Sequence, residues 1–365
     1  MNKLIIEKIS SRQFTWLIVS VLVSTSSILI PGIIIYNAKQ NAWLVLLSAT
    51  AVVTAGIMLN LTLAKRFPGQ AIFQYAQIIL GPWLGKLVGL FYGLTCLYMA
   101  ALSLGVITQL TQITILPETP LWPLVLGLTL LAVYSAWLGI EPIARANDLV
   151  FPVAILILVI PLLLSIPVGK IYRALPVYQL DFSGILKGAF PGTACLAEVF
   201  FILILAPSIN KPEELQSASL KGLLLAGVIM TVVTQTILFV LGIYRASVYL
   251  FPLLRITAEL EIMDVFENFE VIVISGWLLI NIIKLGVFTY CYAICTAQAI
   301  GRKTYRTVLL PALIALPLLA LAPKNFAETT QVWLELVTFK ILIPTAFLIL
   351  PGFLLIIAKV KNSHA

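Results

Sequence analysis

The chain has 365 residues, of which 61% are apolar and only 10% are charged, and its formal net charge is +8. Soluble domains carry about a quarter charged residues, so this composition excludes an ordinary water-soluble fold. Apolar stretches longer than the roughly 18 residues that mark a membrane span recur along the whole chain. We therefore expect the bilayer to be the solvent, and the scattered basic residues speak against a nucleic-acid partner.

Apolar runs between polar breaks predict an all-α integral membrane protein of about ten transmembrane helices. The first run is too long for the apolar core of a signal peptide, so we interpret it as a retained span. With the N-terminus inside, the inner segments hold about twice as many Lys and Arg as the outer ones, which places both termini in the cytoplasm. The predicted spans are 12–36, 41–64, 84–115, 121–139, 146–167, 185–206, 219–243, 269–299, 305–322 and 332–358.

Two connections between spans have features of their own. Residues 72–80 place apolar side chains at helical spacing before Gly81 and Pro82, which predicts a short cytoplasmic helix that lies along the membrane surface or against the bundle. The outer connection, 245–270, is long enough to be a lid or a partner surface, although a plain connector is as consistent with its length. Its second half is acidic through Glu259, Glu261, Asp264, Glu267 and Glu270.

Spans one and six both carry helix-weakening residues near their centres. These are 24–27 with Pro31 and Gly32 in span one, and 191–193 in span six. Spans three and eight are the two long ones, again five positions apart. This pattern is typical of a five-plus-five inverted repeat with broken helices at matching positions. It predicts one transmembrane domain with a first repeat over about 12–167 and a second over about 185–358.

A broken helix frees main-chain N–H and C=O groups at membrane depth, where only a cavity can accommodate them. Each half-helix that follows a break directs a positive dipole end at that cavity, which stabilises a ligand carboxylate. The alternative is that Pro and Gly only kink ordinary spans. We expect the binding region to combine the two breaks.

Ionisable groups inside spans cost about 2.5–3.5 kcal/mol each at a helix centre and call for an explanation. Glu198 in span six can bind a ligand ammonium or carry a proton. The alternative is a structural ion pair that joins Glu198 or Glu335 to Lys284 of span eight or to Lys340 of span ten. In span ten, Glu335 and Lys340 are five residues apart, so α-helical geometry predicts that they do not share a face.

No enzyme, cofactor or metal site is predicted. The chain has no nucleotide-binding fingerprint and a single histidine, His364. Its four cysteines lie in apolar segments without the spacing of a zinc site or a disulfide framework, and we interpret them as buried small side chains: Cys96, Cys195, Cys291 and Cys295.

Four stretches carry a resemblance to a known family. They are KISSRQFTWLIVSVLVSTSSILIPG in span one, FPGQAIFQYAQIILGPWLGKLVG after span two, GIEPIARANDLVFP before span five and FPGTACLAEVFFILILAPSINKPEE through span six. In this order they resemble the GerAB-type spore germination proteins, a branch of the amino acid, polyamine and organocation (APC) transporter superfamily. The resemblance covers essentially the whole chain and implies a LeuT/APC-like fold.

The resemblance implies the permease-like subunit of a spore germinant receptor in the spore inner membrane. Such a subunit recognises a small nutrient such as an amino acid and works with a larger membrane A subunit and a C-subunit lipoprotein. The alternatives are a proton-coupled amino-acid transporter with Glu198 as carrier, and a structural or channel-like subunit without a ligand. Carried over by position, the ligand-binding residues are Ser24, Thr25, Ser26, Ser27, Pro191, Gly192, Thr193, Ala194 and Cys195, with Glu198 and Lys284 as a proton or ammonium site.

Overall fold

The computed structural model describes residues 7–175, 179–261 and 269–361, and within these ranges the regular structure is helical. Spans are numbered as predicted, and helices in chain order. The α-helices are α1 (Ser11–Val23), α2 (Ser26–Ala38), α3 (Ala42–Arg66), α4 (Ile72–Leu80), α5 (Pro82–Thr114), α6 (Leu121–Leu138), α7 (Ile140–Leu164), α8 (Phe182–Leu196), α9 (Ile202–Leu205), α10 (Leu215–Val248), α11 (Pro252–Glu261), α12 (Phe269–Ala299), α13 (Arg306–Ala320), α14 (Phe326–Glu328) and α15 (Leu350–Val360).

Eight helical stretches of the described chain are long and apolar enough to cross a membrane, and two shorter apolar helices, α1 and α13, accompany them. One stretch of 41 residues joins α2 to α3. At 1.5 Å per residue it would be about 60 Å long, twice the hydrocarbon core, so it must fold back. It turns at Lys39, whose φ is 51°, and α2 and α3 then pack side by side. The number of ten spans stays a prediction.

The short helix predicted over 72–80 is present as α4, and Gly81, with φ 89°, follows its last residue, Leu80. Its apolar side chains pack into the bundle, including fully buried Tyr75 and Phe73. In the long outer connection, α11 covers the first part. Most of the acidic second half lies outside the described residues or has undescribed side chains, so its predicted role stays untested.

Span one is interrupted where its Ser and Thr residues cluster. Helix α1 ends at Val23, the backbone of Ser24 departs from helical geometry with φ −47° and ψ −88°, and α2 begins at Ser26. Pro31, also predicted to weaken this span, is accommodated inside α2.

Span six is not interrupted where the sequence predicted. Helix α8 continues through Pro191, Gly192 and Thr193 to Leu196, so the interruption placed at 191–193 was wrong. A proline removes a single N–H donor, and membrane helices tolerate that loss when neighbours pack around it. The chain instead tightens into a 3₁₀ helix over Ala197–Phe201, which contains Glu198, before α9.

Span ten is a wide helix for much of its length. A π-helix extends over Thr329–Leu342 and a second over Thr345–Ile349. Because π-helical hydrogen bonds join residues five apart, Glu335 and Lys340 meet with 3.4 Å between Oε1 and Nζ. The expectation that they do not share a face assumed α-helical geometry and was wrong.

The packing of the spans repeats after five positions. Span one packs on span seven, and five positions later span six packs on span two. In the same way, span three packs on span nine and span eight packs on span four. Spans eight and five likewise pack together, as do spans three and ten. Long helices α5 and α12, which form spans three and eight, lie together at the centre. If each span is replaced by the span five positions away, the same pairs of packed spans are obtained.

Residues 7–10 form a strap on the face of the bundle that carries both described chain ends, here called the terminal face. Ile9 pairs with the segment after span six, receiving a hydrogen bond from Asn210 N and donating one to Ser208 O, at 2.9 and 2.8 Å. Lys8 Nζ donates to Pro207 O at 2.8 Å. A Glu7 carboxylate oxygen accepts from Glu141 N at 3.0 Å, at the positive end of α7.

Gly139, between α6 and α7, has φ 111°, a conformation that L side chains rarely adopt. A Cβ at this position would also collide with the Glu7 carboxylate. We expect Gly139→Ala to lower the free energy of unfolding by about 1–3 kcal/mol, measured by thermal unfolding in detergent. Gly127→Ala is the matched control, because Gly127 lies inside α6 with open space around it. That substitution should be neutral or stabilising, and equal losses in both variants would contradict the explanation.

Candidate functional site

The interruption of span one is held open by side chains. The carbonyl oxygen of Ser24 accepts a hydrogen bond from the indole N–H of Trp277 at 2.6 Å and another from the Ser27 hydroxyl at 3.1 Å. The Ser24 hydroxyl donates to Val21 O at 2.9 Å. Buried polar groups of the main chain must be paired, and here a residue from another span supplies part of that pairing. The local geometry of the break therefore depends on α12.

A buried ion pair lies directly against this interruption. Lys284 Nζ is 2.7 Å from Glu198 Oε2, and the two side chains are 1% and 5% exposed. Lys284 also donates to the Thr25 hydroxyl at 3.3 Å, and that hydroxyl donates to Asn281 Oδ1 at 3.0 Å. The pair thus joins the break of span one, the 3₁₀ turn of span six and the middle of span eight. An ion pair of Glu198, one of the alternatives left open by the sequence, is therefore present, and its partner is Lys284.

Three residues of α12 face the break together. Trp277, Asn281 and Lys284 recur at the spacing of one helical face, and the Asn281 amide donates back to Trp277 O at 2.8 Å. Sequence reasoning identified Lys284 but missed Trp277. The signal that could have identified Trp277 was its i, i+4, i+7 spacing with Asn281 and Lys284, which places the three side chains on one face of α12.

An aromatic cluster closes the terminal side of the ion pair. The Lys284 ammonium lies 5.9 Å from the ring centre of Phe288, which contacts Phe200 and Phe201, each with 6.1 Å between ring centres. Tyr92 lies 6.1 Å from Phe200, and its hydroxyl donates to Ala346 O at 2.6 Å. All four rings are buried, so the ion pair is separated from the terminal face by a layer of packed rings.

Space beside the break is small. A cavity of about 30 Å³ lies between α2, α7, α11 and α12, and Ser27, Trp277 and Gly276 line it. That volume holds about two water molecules. A ligand the size of an amino acid requires the surrounding helices to move apart.

The nine predicted ligand-binding residues do not all meet. Ser24, Thr25, Ser26 and Ser27 are buried at the break, and Cys195 lies close to Ser26, Glu198 and Lys284. Pro191, Gly192 and Thr193 lie in the unbroken part of α8, and Gly192 packs against Val45 and Ala49 of α3. Ala194, although buried, also belongs to α8. The structure therefore brings together the span-one residues, Cys195, Glu198 and Lys284.

A larger cavity of about 410 Å³, here called the outer cavity, lies on the side away from the terminal face, between α2, α8 and span ten. Pro191, Lys187, Tyr36 and Glu335 are among its walls. Among residues 7–175, 179–261 and 269–361, no three His, Cys, Asp or Glu side chains are grouped so that they could hold a metal ion.

Comparison with known proteins identifies relatives along nearly the whole chain. The profile of the spore germination protein family, called spore permease, matches residues 8–329. Spore germination protein YndE of Bacillus subtilis is 24% identical over 326 residues, covering 87% of this chain and 88% of the relative. Spore germination protein KB of Bacillus subtilis is 23% identical over 362 residues, covering 98% and 96%.

Two solved transporters have a similar fold. MhsT in complex with L-phenylalanine matches with a TM-score of 0.67 at 15% identity, covering 97% of this chain and 99% of that one. Mhp1, a nucleobase-cation-symport-1 family transporter in a closed conformation with bromovinylhydantoin bound, matches with a TM-score of 0.66 at 15% identity, covering 95% and 77%. The predicted LeuT/APC-like fold is thereby confirmed. With the family profile spanning most of its length, the chain belongs to the spore germination protein family.

Proposed function

We propose that this chain is the ligand-recognising, permease-like subunit of a spore germinant receptor. A small nutrient such as an amino acid binds at the interruption of span one, and the resulting movement passes to a larger membrane A subunit and a C-subunit lipoprotein. The protein lies in the spore inner membrane with both termini in the cytoplasm. The relatives named for spore germination support this role.

One observation carries the proposal. The interruption at Ser24 is bonded to α12 through Trp277 and Thr25, and the Glu198–Lys284 ion pair joins it to span six. These side chains already form hydrogen bonds with one another, so a polar ligand must exchange them for its own. Such an exchange changes the contacts between spans one, six and eight at once, which is how binding can shift a conformational equilibrium.

The same geometry supports a narrower ligand-binding region than the one expected from the sequence. We propose that this region consists of Ser24, Thr25, Ser26 and Ser27, with Cys195 and the Glu198–Lys284 ion pair beside them. The repeating packing of the spans supports the proposal that 12–167 and 185–358 are two related halves, because inverted repeats place their shared site where the first helices of the halves meet.

Nutrient binding by the purified chain tests this function. A panel of the 20 common L-amino acids, glucose and inosine is added to the protein in detergent, and thermal unfolding is followed. A nutrient at about 100 times its Kd stabilises the folded protein by about 2.7 kcal/mol, so at least one member should raise Tm. Ser26→Trp should abolish that rise, whereas Ser183→Trp, on an exposed position of α8, should keep it. Absence of any stabilising nutrient would contradict the proposal.

Buried Glu198 supports a second candidate function, proton-coupled amino-acid transport with Glu198 as carrier. Proteoliposomes that contain this chain alone distinguish the two. Accumulation of a radiolabelled amino acid driven by an imposed pH gradient, and lost in Glu198→Gln, would favour the transporter. Saturable binding without accumulation would favour the receptor.

A further inference from the structure

Another cavity lies on the terminal face, next to Lys8 of the strap. Its volume is about 250 Å³, and it is bounded by the end of α3, the turn after α3, the end of span six and the start of α10. The polar walls of this cavity, here called the terminal cavity, are Lys8, Lys65, Gln70, Glu213 and Gln216. Pockets for drug-sized ligands measure about 300–1,000 Å³, so the terminal cavity has the size for a smaller molecule or a single headgroup.

The walls of the terminal cavity carry an excess of positive charge. Lys8 and Lys65 contribute an ammonium group each, and Glu213 contributes the only carboxylate. The outer cavity, in contrast, is balanced, because one lysine and one glutamate line it, Lys187 and Glu335. A concave surface with unbalanced positive charge raises the local concentration of anions. The terminal cavity therefore favours an anionic ligand, whereas the outer cavity has no such preference.

Both ammonium groups of the terminal cavity are bonded to neutral oxygen atoms. Lys8 Nζ donates to Pro207 O at 2.8 Å and to Ile209 O at 3.5 Å. Lys65 Nζ donates to Gln216 Oε1 at 2.6 Å. Within the described parts of the chain, neither lysine forms an ion pair with a carboxylate. Because an ammonium has three donors, each lysine retains a donor for a further acceptor that carries negative charge.

Gln70 adds an amide group that lacks a partner. Its side-chain oxygen is buried, and no described residue forms a hydrogen bond with it. Buried polar atoms of folded proteins are nearly always paired, so this group is available to a molecule in the cavity. The amide also carries an NH₂ donor, and rotation by half a turn exchanges the positions of its nitrogen and oxygen. Gln70 can therefore donate to the same anion that Lys8 and Lys65 bind.

We propose that the terminal cavity binds a phosphate group. Lys8 and Lys65 donate charge-assisted hydrogen bonds to two of its oxygens, and the Gln70 amide donates to a third. Phosphate offers three strong acceptor oxygens, one for each of these side chains, whereas a carboxylate has only two oxygens. The group belongs either to a free phosphate ester or to the headgroup of a phospholipid, which share this chemistry. Since Lys8 lies in the strap and Lys65 in α3, the bound anion joins the strap to span two.

Thermal unfolding of the full chain in detergent tests the site, with inorganic phosphate as the first probe. Phosphate that replaces chloride at constant ionic strength should raise Tm until the effect saturates. Lys65→Met should raise the half-saturating phosphate concentration at least about ten-fold, because it removes a charge-assisted hydrogen bond. Glu213→Gln should lower that concentration about three-fold, because it removes a like charge from the wall. Opposite effects of two exposed wall residues are not expected of a purely structural role.

Lys86→Met is the matched control, because Lys86 is an exposed lysine of α5 that does not line the terminal cavity. It should leave the half-saturating phosphate concentration unchanged. Lys65→Met should also keep the rise in Tm that a nutrient produces, since Lys65 lies outside the region proposed for nutrient binding. Failure of the phosphate site is therefore distinguishable from failure of the proposed function.

Two further probes identify the source of the phosphate group. Glycerol 3-phosphate represents a free ester, and short-chain phosphatidylglycerol represents a phospholipid headgroup; the variants are measured with each probe that raises Tm. Saturable stabilisation by either one, weakened in Lys65→Met and not in Lys86→Met, supports the inference and names the source. Absence of saturable stabilisation by all three probes, equal effects of Lys65→Met and Lys86→Met, or weaker binding in Glu213→Gln would each overturn it.

Discussion

Lys284→Met should lower the free energy of unfolding by about 3–5 kcal/mol, because it leaves the Glu198 carboxylate buried without its partner. The enclosure of both side chains, at 1% and 5% exposure, makes this the largest stability effect expected for a single substitution in the site. Thermal unfolding of the purified protein in detergent measures it.

Two controls separate charge imbalance from loss of packing. Glu198→Gln combined with Lys284→Met removes both charges, and we expect it to recover most of the lost stability, since a neutral pair has no uncompensated charge. Lys340→Met breaks the exposed Glu335–Lys340 ion pair of span ten and should lower the free energy of unfolding of the purified chain by less than about 1 kcal/mol. If the Lys284→Met variant is as stable as the Lys340→Met variant, burial of the Glu198–Lys284 pair does not have the energetic effect expected here.

Trp277→Phe should lower the free energy of unfolding by about 1–3 kcal/mol and weaken nutrient binding. It removes the N–H that donates to Ser24 O at 2.6 Å, and a buried carbonyl that loses a partner retains its desolvation cost. The ring that remains preserves most of the packing, so the change reports mainly on the hydrogen bond. Thermal unfolding with and without the stabilising nutrient measures both effects.

Trp122→Phe is the matched control for that prediction, because Trp122 is 59% exposed near the start of α6. It should change neither stability nor nutrient binding by a measurable amount. If Trp277→Phe binds the nutrient as well as wild type does, the interruption of span one does not depend on α12 for recognition.

Hydrophobic run lengths predicted the membrane class and the approximate bounds of most spans, because the bilayer imposes a minimum length on every crossing helix. The cluster of Ser and Thr at 24–27 indicated where span one is interrupted, since these side chains can bond to the main chain that a break exposes. Glu198 and Lys284 were identified because charges inside spans are costly and therefore rare.

Other features depend on helix geometry that composition does not determine. Pro191 indicated a break, yet α8 continues through it and the chain tightens only at Ala197. An α-helical spacing predicted that Glu335 and Lys340 do not share a face, but the π-helix brings their side chains together. Both errors assumed standard α-helical hydrogen bonding, whereas the chain adopts 3₁₀ and π forms at these positions. Trp277 was missed because its partner is a main-chain atom of another span.

The strap on the terminal face has a consequence for biogenesis. Ile9 and Lys8 find their partners at 207–210, about 200 residues later in the chain. A growing polypeptide therefore synthesises its first six spans before Lys8 and Ile9 have their partners, whereas the Glu7 partner, Glu141, emerges earlier. Pairing over such a separation carries a high loop-closure cost and is slow. Lys8 and Ile9 are thus expected to be among the last residues to reach their final positions, and a nascent chain that stops before residue 207 should leave them open to added protease.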